Sequence, residues 1–264
     1  MPLWTPDRIN TALWLDADDA ATLTPDGSGN VETWVDKSGN ANNAVQSNSA
    51  RRFVYAYAAL NGKNVVRGDG GTNHLTIAND ASIVSSNNIS FFAVVKKNLA
   101  ASGTDRSSIF HTSDGDLSFW AEIGTLSGSN VDYTDGFATA GAVSAQFTTR
   151  TNNVISDGLA ALLSYTRNGS GDTHSVRVDG DEKSYTYDAG DYSNSTQQKL
   201  IGIRTTSSLN QAFDGDIAEI IFVSSTLSVS DVEKVEGYLA HKWGLSASLP
   251  ADHPYKAAAP LITP

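Results

Sequence analysis

Three acidic residues sit close together in FDGDIAEIIF: Asp214, Asp216 and Glu219. Paired carboxylates do the chemistry of glycoside hydrolysis, which needs them about 5 Å apart for retention and somewhat further apart for inversion. On a strand that means acids two or four residues apart, on one face. Asp216 and Glu219 are three apart and fall on opposite faces unless a bulge intervenes. No Glu-x-Asp-x-x-Glu strand occurs elsewhere. Other catalytic chemistries have less to stand on. The chain has no G-x-S-x-G turn to carry a nucleophilic serine and no cysteine. Its five histidines, His74, His111, His174, His241 and His253, are scattered one per segment without HExxH or HxH spacing. GDGGTNH (68–74) lacks the Lys-Ser/Thr of a phosphate loop and reads as a turn.

Binding chemistry has more material. A calcium ion takes six to eight oxygens, and the loops DADDAATLTPDGSGN (16–30) and DKSGN (36–40) supply carboxylates, amides and carbonyls. Asp16, Asp36, Asp214 and Glu219 are the candidate donors for a structural Ca²⁺, although no EF-hand spacing is present and Asp and Asn also close turns through their own side chains. Glycan recognition needs an exposed ring face beside planar polar groups. Trp120, Tyr133, Phe137, Tyr185, Tyr187 and Tyr192 lie near Asp, Asn and Ser, while aromatics at strand positions more often belong to the core. Arg67-Gly68-Asp69 has the form of an adhesion tripeptide, which turn chemistry also explains, and Asn88, Asn168 and Asn194 stand in N-x-S/T sequons.

The elements that position these residues read as β. Runs such as TALWLDA (11–17), NVETWVD (30–36), ISFFAVVKK (89–97), LSFWAEIG (117–124), HSVRVDG (174–180) and DIAEIIFVS (216–224) recur between Gly, Asn, Ser and Asp clusters. About a dozen such runs imply two packed sheets. ISFFAVV, apolar on both faces, reads as a central strand. Alternation in SVRVDG sets Val176 and Val178 against Ser175, Arg177 and Asp179, which predicts one face in solvent. In WVDKSGNANNAVQ (34–46) the strand residues Trp34 and Val35 run straight into a polar turn, Asp36, Ser38, Gly39 and Asn40 among its residues, which is either a structured loop between strands or an ion site. Val232, Val235, Leu239 and Trp243 repeat every three or four residues, predicting an amphipathic helix over 228–243 with Ser230-x-x-Glu233 as its capping box and Gly244 as its stop. Four prolines after 244 predict an extended strap over 245–264. One domain is expected over 1–264: an arm (1–10), a sandwich (11–225), the helix and the strap.

With 18 basic against 29 acidic residues the net charge is −11, which argues against nucleic acid as a partner. No basic-then-apolar leader and no membrane-length apolar run is present, so a soluble chain is expected.

Segments in order along most of the chain, TALWLDADDAATLT, NVETWVDKSGNANNAVQ, LNGKNVVRGDGGTNHLTIAND, ISFFAVVKK, HSVRVDGDEKSYT and FDGDIAEIIFVSSTLSVSDVEKVEGYLAHKWGL, resemble the laminin-G-like, concanavalin A-like jelly rolls of bacterial surface proteins and phage structural proteins. The most specific part is the strand Gly215, Ile217, Glu219, Ile220, Ile221, Phe222, then Leu227 and Ser228, then Tyr238, Leu239, Lys242, Trp243 and Gly244. The resemblance implies an all-β, two-sheet antiparallel jelly-roll sandwich with the C-terminal helix and strap packed against it. Where the family has an aromatic before Asp-Gly, this chain has Gly68, which implies weaker packing or a bulge. The family also contains glucanases, whose catalytic acidic strand is missing here. The function expected from the resemblance is that of a non-enzymatic virion structural protein of a tailed phage, a capsid decoration protein or tail adhesin on the virion surface. Its partners would be capsid or tail proteins, copies of itself and cell-surface glycans. The alternatives are a carbohydrate-binding module or adhesin of a bacterial surface protein, and a glycan hydrolase or lyase.

Overall fold

Short runs rich in β-branched and aromatic residues, bounded by turn formers, have the composition of half-buried strands. In the computed structural model they pair into two antiparallel sheets. The structure describes residues 1–78, 80, 82–83, 87–98, 105–112, 119–126, 133–140, 149–150, 155–156, 158–186 and 198–262. For 105–106, 124–126, 133–140, 149–150 and 183–186 it describes the backbone alone.

In chain order the strands begin with β1 (Leu13–Asp16), β2 (Leu23–Pro25), β3 (Val31–Trp34), β4 (Ala44–Val45), β5 (Val54–Leu60) and β6 (Lys63–Asp69). Then come β7 (Leu75–Ile77), β8 (Ile89–Lys97), β9 (Asp105–His111), β10 (Trp120–Leu126), β11 (Tyr133–Ala140) and β12 (Thr149–Arg150). The last are β13 (Ala160–Asn168), β14 (Thr173–Val178), β15 (Asp181–Thr186), β16 (Lys199–Ile201) and β17 (Asp214–Val223), followed by helix α1 (Val229–Trp243). The first sheet has the order β15-β14-β13-β8-β17-β6-β5, with β1 also on β17; the second has the order β12-β11-β10-β9-β16-β7-β4-β3-β2. This is the jelly-roll sandwich with one C-terminal helix that the sequence predicts.

The core between the sheets is aromatic. Phe119 lies 5.4 Å from Phe91 and 5.9 Å from Phe222, and Trp34 is fully buried in the same cluster. A second core lies on the far side of the first sheet. In β8, Phe91, Ala93 and Val95 face the sandwich interior while Phe92 and Val94 face α1, so ISFFAVV has no polar face because neither side meets water. The same second core corrects the reading of SVRVDG. Val176 and Val178 point inward as expected, but Arg177 on the opposite face is buried, held by Glu182 at 2.7 Å and by Glu236 of the helix at 3.6 Å.

Helix α1 starts earlier than its capping box suggested. The N-cap is Ser228, whose hydroxyl oxygen accepts the Asp231 N–H at 3.2 Å, so Ser228-x-x-Asp231 rather than Ser230-x-x-Glu233 closes the first turn. Gly244 ends the helix in the left-handed region, φ 71°. Gly237, mid-helix, is needed for close approach: a Cβ there would come within 2.5 Å of Tyr255 in the strap. The strap then meets the arm. Trp4 N–H donates to the Pro260 carbonyl, Ile262 N–H to that of Pro2, and Leu3 pairs with Leu261 in an antiparallel bridge. Together they bury Trp4 and Leu249 against the helix.

Candidate functional site

The outer face of the first sheet collects most of the acids the sequence singled out. A bulge in β17 between Ile217 and Glu219 turns both Ala218 and Glu219 toward the helix, since Ile217 and Ile220 both face the inner core. The bulge therefore puts Asp216 and Glu219 on one face after all. Asp216 is buried in a two-pronged ion pair with Arg67, at 2.5 and 2.9 Å. Glu219 is fully buried beneath α1. Its Oε1 accepts from Trp14 Nε1 at 2.7 Å and Tyr238 Oη at 2.9 Å, and its Oε2 from Trp243 Nε1 and Lys242 Nζ, each at 2.7 Å. Lys242 also reaches Asp16 at 2.7 Å, and Asp16 takes Lys37 at 2.9 Å.

Burial pushes the Glu219 carboxyl above the usual carboxylate range, only partly opposed by Lys242. Burial would raise Asp16 too, but Lys242 and Lys37 outweigh it and hold it below its ordinary value. Burial and the Glu219 charge push the Tyr238 hydroxyl far up, which keeps it a proton donor. Both oxygens of Glu219 are thus taken by protein donors, which leaves neither free for a substrate.

The remaining cation candidates are also engaged. Asp36 Oδ1 accepts Trp14 N–H at 2.9 Å and Ser38 N–H at 2.8 Å; Oδ2 accepts Ser38 Oγ at 2.7 Å and Asn42 N–H at 3.0 Å. Asp214 Oδ1 accepts Asn98 Nδ2 at 2.7 Å. Among the described residues, no group of three or more His, Asp or Glu converges in a way that could hold a metal ion.

Arg67-Gly68-Asp69 lies within β6, not at a loop tip, and Arg67 is committed to Asp216. A Cβ at Gly68 would stand 2.2 Å from the Phe213 carbonyl oxygen and 2.9 Å from Phe53, so glycine is there because the Phe53 ring and the β17 approach fill the space. Residues 67–69 stay in regular register with 214–216, so this departure from the family pattern marks no bulge.

The second sheet presents a different outer face. Its registers place Thr24, Thr33, Val45, Thr76, Leu200, His111 and Trp120 opposite one another on successive strands, forming a single row across the sheet. Their chain neighbours Trp34, Ala44, Ile77, Ile201 and Phe110 face the inner core, so the row faces outward. Over Thr33, Val45 and Thr76 lies an open groove of about 400 Å³. Glu32, Gln46, Ser47, Arg51 and His74 wall one side of it, and Gln198 and Thr206 the other.

Its walls are fixed by the backbone. Gln46 Nε2 donates to the His74 carbonyl at 3.1 Å, Asn48 caps the turn Ser49–Arg51 by accepting Ala50 N–H, and Arg52 Nε donates to the Gln46 carbonyl at 2.8 Å. Arg52 also holds Asp26 at 2.9 Å and Glu32 at 3.2 Å. The backbone N–H groups of Asn30 and Ser28, with Arg52, pull the Asp26 carboxyl down to about 2. Beyond Thr76 the row passes under residues 203–212, where Ile203, Leu209 and Ala212 cover Leu200. It emerges at Trp120, three strand spacings or roughly 14 Å from Thr76.

Trp120 is half-buried, its ring near-parallel to His111 with centroids 6.3 Å apart. Beneath it His111 Nε2 lies 3.5 Å from Glu122 Oε1, which also accepts Ser108 Oγ at 3.1 Å; all three are buried. Of the other aromatic candidates, Tyr133 and Phe137 lie in β11 and Tyr185 in β15, where the backbone alone is described, and Tyr187 and Tyr192 lie outside the described residues. The groove residues carry no signal in the sequence. Thr33, Thr76 and Gln198 are ordinary strand and turn residues one at a time, and only strand order brings them together.

No protein-family model matches the chain, and no curated protein matches it in sequence. Solved structures do. Domain 4 of AbnA, an extracellular GH43 arabinanase of Geobacillus stearothermophilus solved with arabinotriose, aligns with a TM-score of 0.59 at 16% identity, covering 84% of this chain and 96% of that one. The CBM40 of the Ruminococcus gnavus IT-sialidase, bound to α2,3-sialyllactose, aligns at 0.50 with 11% identity over 64% of this chain and 93% of that one. The botulinum neurotoxin serotype D binding domain aligns at 0.57 with 14% identity, over 86% of this chain and 50% of that one. At such identities the likeness shows the fold, a lectin-like jelly roll. Of these three, two are modules of enzymes and one is the binding domain of a toxin.

Proposed function

We propose that the protein is a non-enzymatic binding module on an exposed biological surface, and that it recognises a glycan through the outer face of its second sheet. The carrying observation is the open polar groove over Thr33, Val45 and Thr76, walled by hydroxyl and amide side chains, with the ring of Trp120 further along the cross-sheet row that forms its floor. Hydroxyl-rich ligands need that mixture of planar hydrogen-bonding groups and an aromatic face. Neighbours solved with arabinotriose and with sialyllactose support the same reading. The hydrolase alternative loses its candidate acid, because Glu219 is shut beneath the helix.

The test is a glycan array with the intact protein, followed by titration of each hit. Gln198→Ala should weaken binding about fivefold, the worth of roughly one hydrogen bond, with no change in melting temperature; Thr76→Ala should weaken it by a similar factor with a small loss of stability, because the Thr76 hydroxyl also donates to the Val45 carbonyl. Saturable hits that ignore both substitutions would move the site elsewhere; an empty array would end the glycan reading.

The setting proposed is a virion surface, on the strength of the resemblance to phage structural domains, with capsid or tail proteins or copies of the chain as partners. A bacterial surface adhesin is the alternative, favoured by the extracellular enzyme that carries the arabinotriose-bound neighbour. Docking to a particle would use the exposed side chains Met1, Leu3 and Leu261 at the paired termini. Charge substitution at Leu3 and Leu261 should abolish particle incorporation, and incorporation unchanged by it would end the anchoring role.

A further inference from the structure

Most charged side chains lining the clefts of this protein are already engaged. In the groove, Glu32 is drawn onto Arg52 at 3.2 Å, and Arg52 is itself shared with Asp26 and the Gln46 carbonyl. Arg51 is the exception. It ends a short 3₁₀ turn whose backbone is pinned twice: its N–H donates to the Asn48 carbonyl, and its carbonyl accepts His74 N–H. Arg51 is half-buried and lines the groove, and its guanidinium has no hydrogen-bond or ion-pair partner among the described residues. A guanidinium has five donors in a planar fork whose natural complement is a carboxylate or sulfate. Glu32, the carboxylate among the groove's described lining residues, is held on the neighbouring arginine.

We infer that the groove takes an acidic glycan, its carboxylate or sulfate seated on the Arg51 guanidinium and its hydroxyls on the threonine and glutamine walls. This rests on the glycan reading of the same groove and adds the charge of the ligand. A net charge of −11 argues against a broad basic field that would hold any polyanion. It leaves room for one anion on one pinned guanidinium, because charges further away than a Debye length of about 8 Å are largely screened at physiological salt. A single oriented contact also predicts discrimination by position: the acid must sit where the fork points.

The experiment compares acidic ligands with neutral counterparts of the same shape on the intact protein: oligogalacturonate against its methyl ester, sialyllactose against lactose, and sulfated against unsulfated lactose. At least one acidic member should bind tenfold or more tightly than its partner. Arg51→Gln should erase that margin, a loss of about ten- to a hundredfold in affinity for the acidic ligand from one charge-assisted contact, leave the melting temperature unchanged, and be partly rescued by Arg51→Lys. Equal affinity for acid and ester, or an acid preference that survives Arg51→Gln, overturns the inference. So does displacement by inorganic sulfate at the same concentrations, which would make the groove a plain anion site. Binding of neutral glycans without acid preference removes this inference alone; binding of no glycan removes the proposed function with it.

Discussion

The two outer faces of the sandwich are both dense in polar side chains, and they use them in opposite ways. Over the first sheet, a helix, an arm and a strap bury Glu219, Asp16, Arg177 and Glu236, and the four donors around Glu219 come from β1 and α1. Over the second sheet, a groove lined by hydroxyl and amide side chains lies open, with a guanidinium that no described neighbour engages. Polar density therefore does not separate scaffold from site. What separates them is whether the protein itself supplies the partner: a carboxylate that accepts from four donors is finished, whereas a guanidinium that no described acceptor engages still has donors to offer.

The largest effect that tests this contrast belongs to the sealed face. Glu219→Ala leaves the indole N–H groups of Trp14 and Trp243, the Tyr238 hydroxyl and the Lys242 ammonium without their shared acceptor. Removing one partner of a buried charged network costs about 3–5 kcal/mol, so urea denaturation should show a loss of that size while ligand affinity of the folded fraction stays unchanged. A loss under about 1 kcal/mol would mean the helix is held by its apolar contacts alone. Next in size is Asp36→Ala. It strips acceptors from Trp14 N–H and Asn42 N–H, both buried, and bonds to a charged group are worth about 1.5–3 kcal/mol each. Because each oxygen of Asp36 already accepts two donors, EDTA and added calcium should leave the wild-type melting temperature where it is. A calcium-dependent rise would give Asp36 the second role that its turn geometry does not require.

The scaffold is far more legible in the sequence than the site, for a physical reason. Trp34, β8 and the Val235–Leu239–Trp243 stripe of the helix announce themselves because burial imposes a period on neighbouring residues. Glu219 is half legible. Its spacing from Asp216 forbids a shared face on a regular strand, and only the bulge after Ile217 changes that. Arg177 defeats the sequence pattern because alternation reports which residues share a face and says nothing of what covers that face. The groove is not legible at all. Thr33, Thr76 and Gln198 belong to segments more than 40 residues apart, joined only by the strand order β3-β4-β7-β16. Arg51 looks like any loop arginine until Glu32 is seen to be taken by Arg52.

The smallest effect concerns pH, where the two faces should again part. On the sealed face Glu219 is raised and Asp16 lowered. A raised carboxyl gives stability at low pH that fades as pH climbs through its folded value, and a lowered one does the reverse, so their slopes oppose each other. At the rim of the open face Asp26 acts alone. Its folded value of about 2 lies below the ordinary 3.8, so its contribution is complete above about pH 4 and is lost as pH falls toward about 2. Asp26→Asn retains an oxygen for the Ser28 and Asn30 N–H groups and removes the charge that binds Arg52. The variant should therefore be slightly less stable than wild type at pH 6 and should show a flatter decline between about pH 4 and pH 2. Parallel declines for the two proteins in that window would mean the acid limb is set by the sealed face, and that the open rim carries no charge-dependent stability of its own.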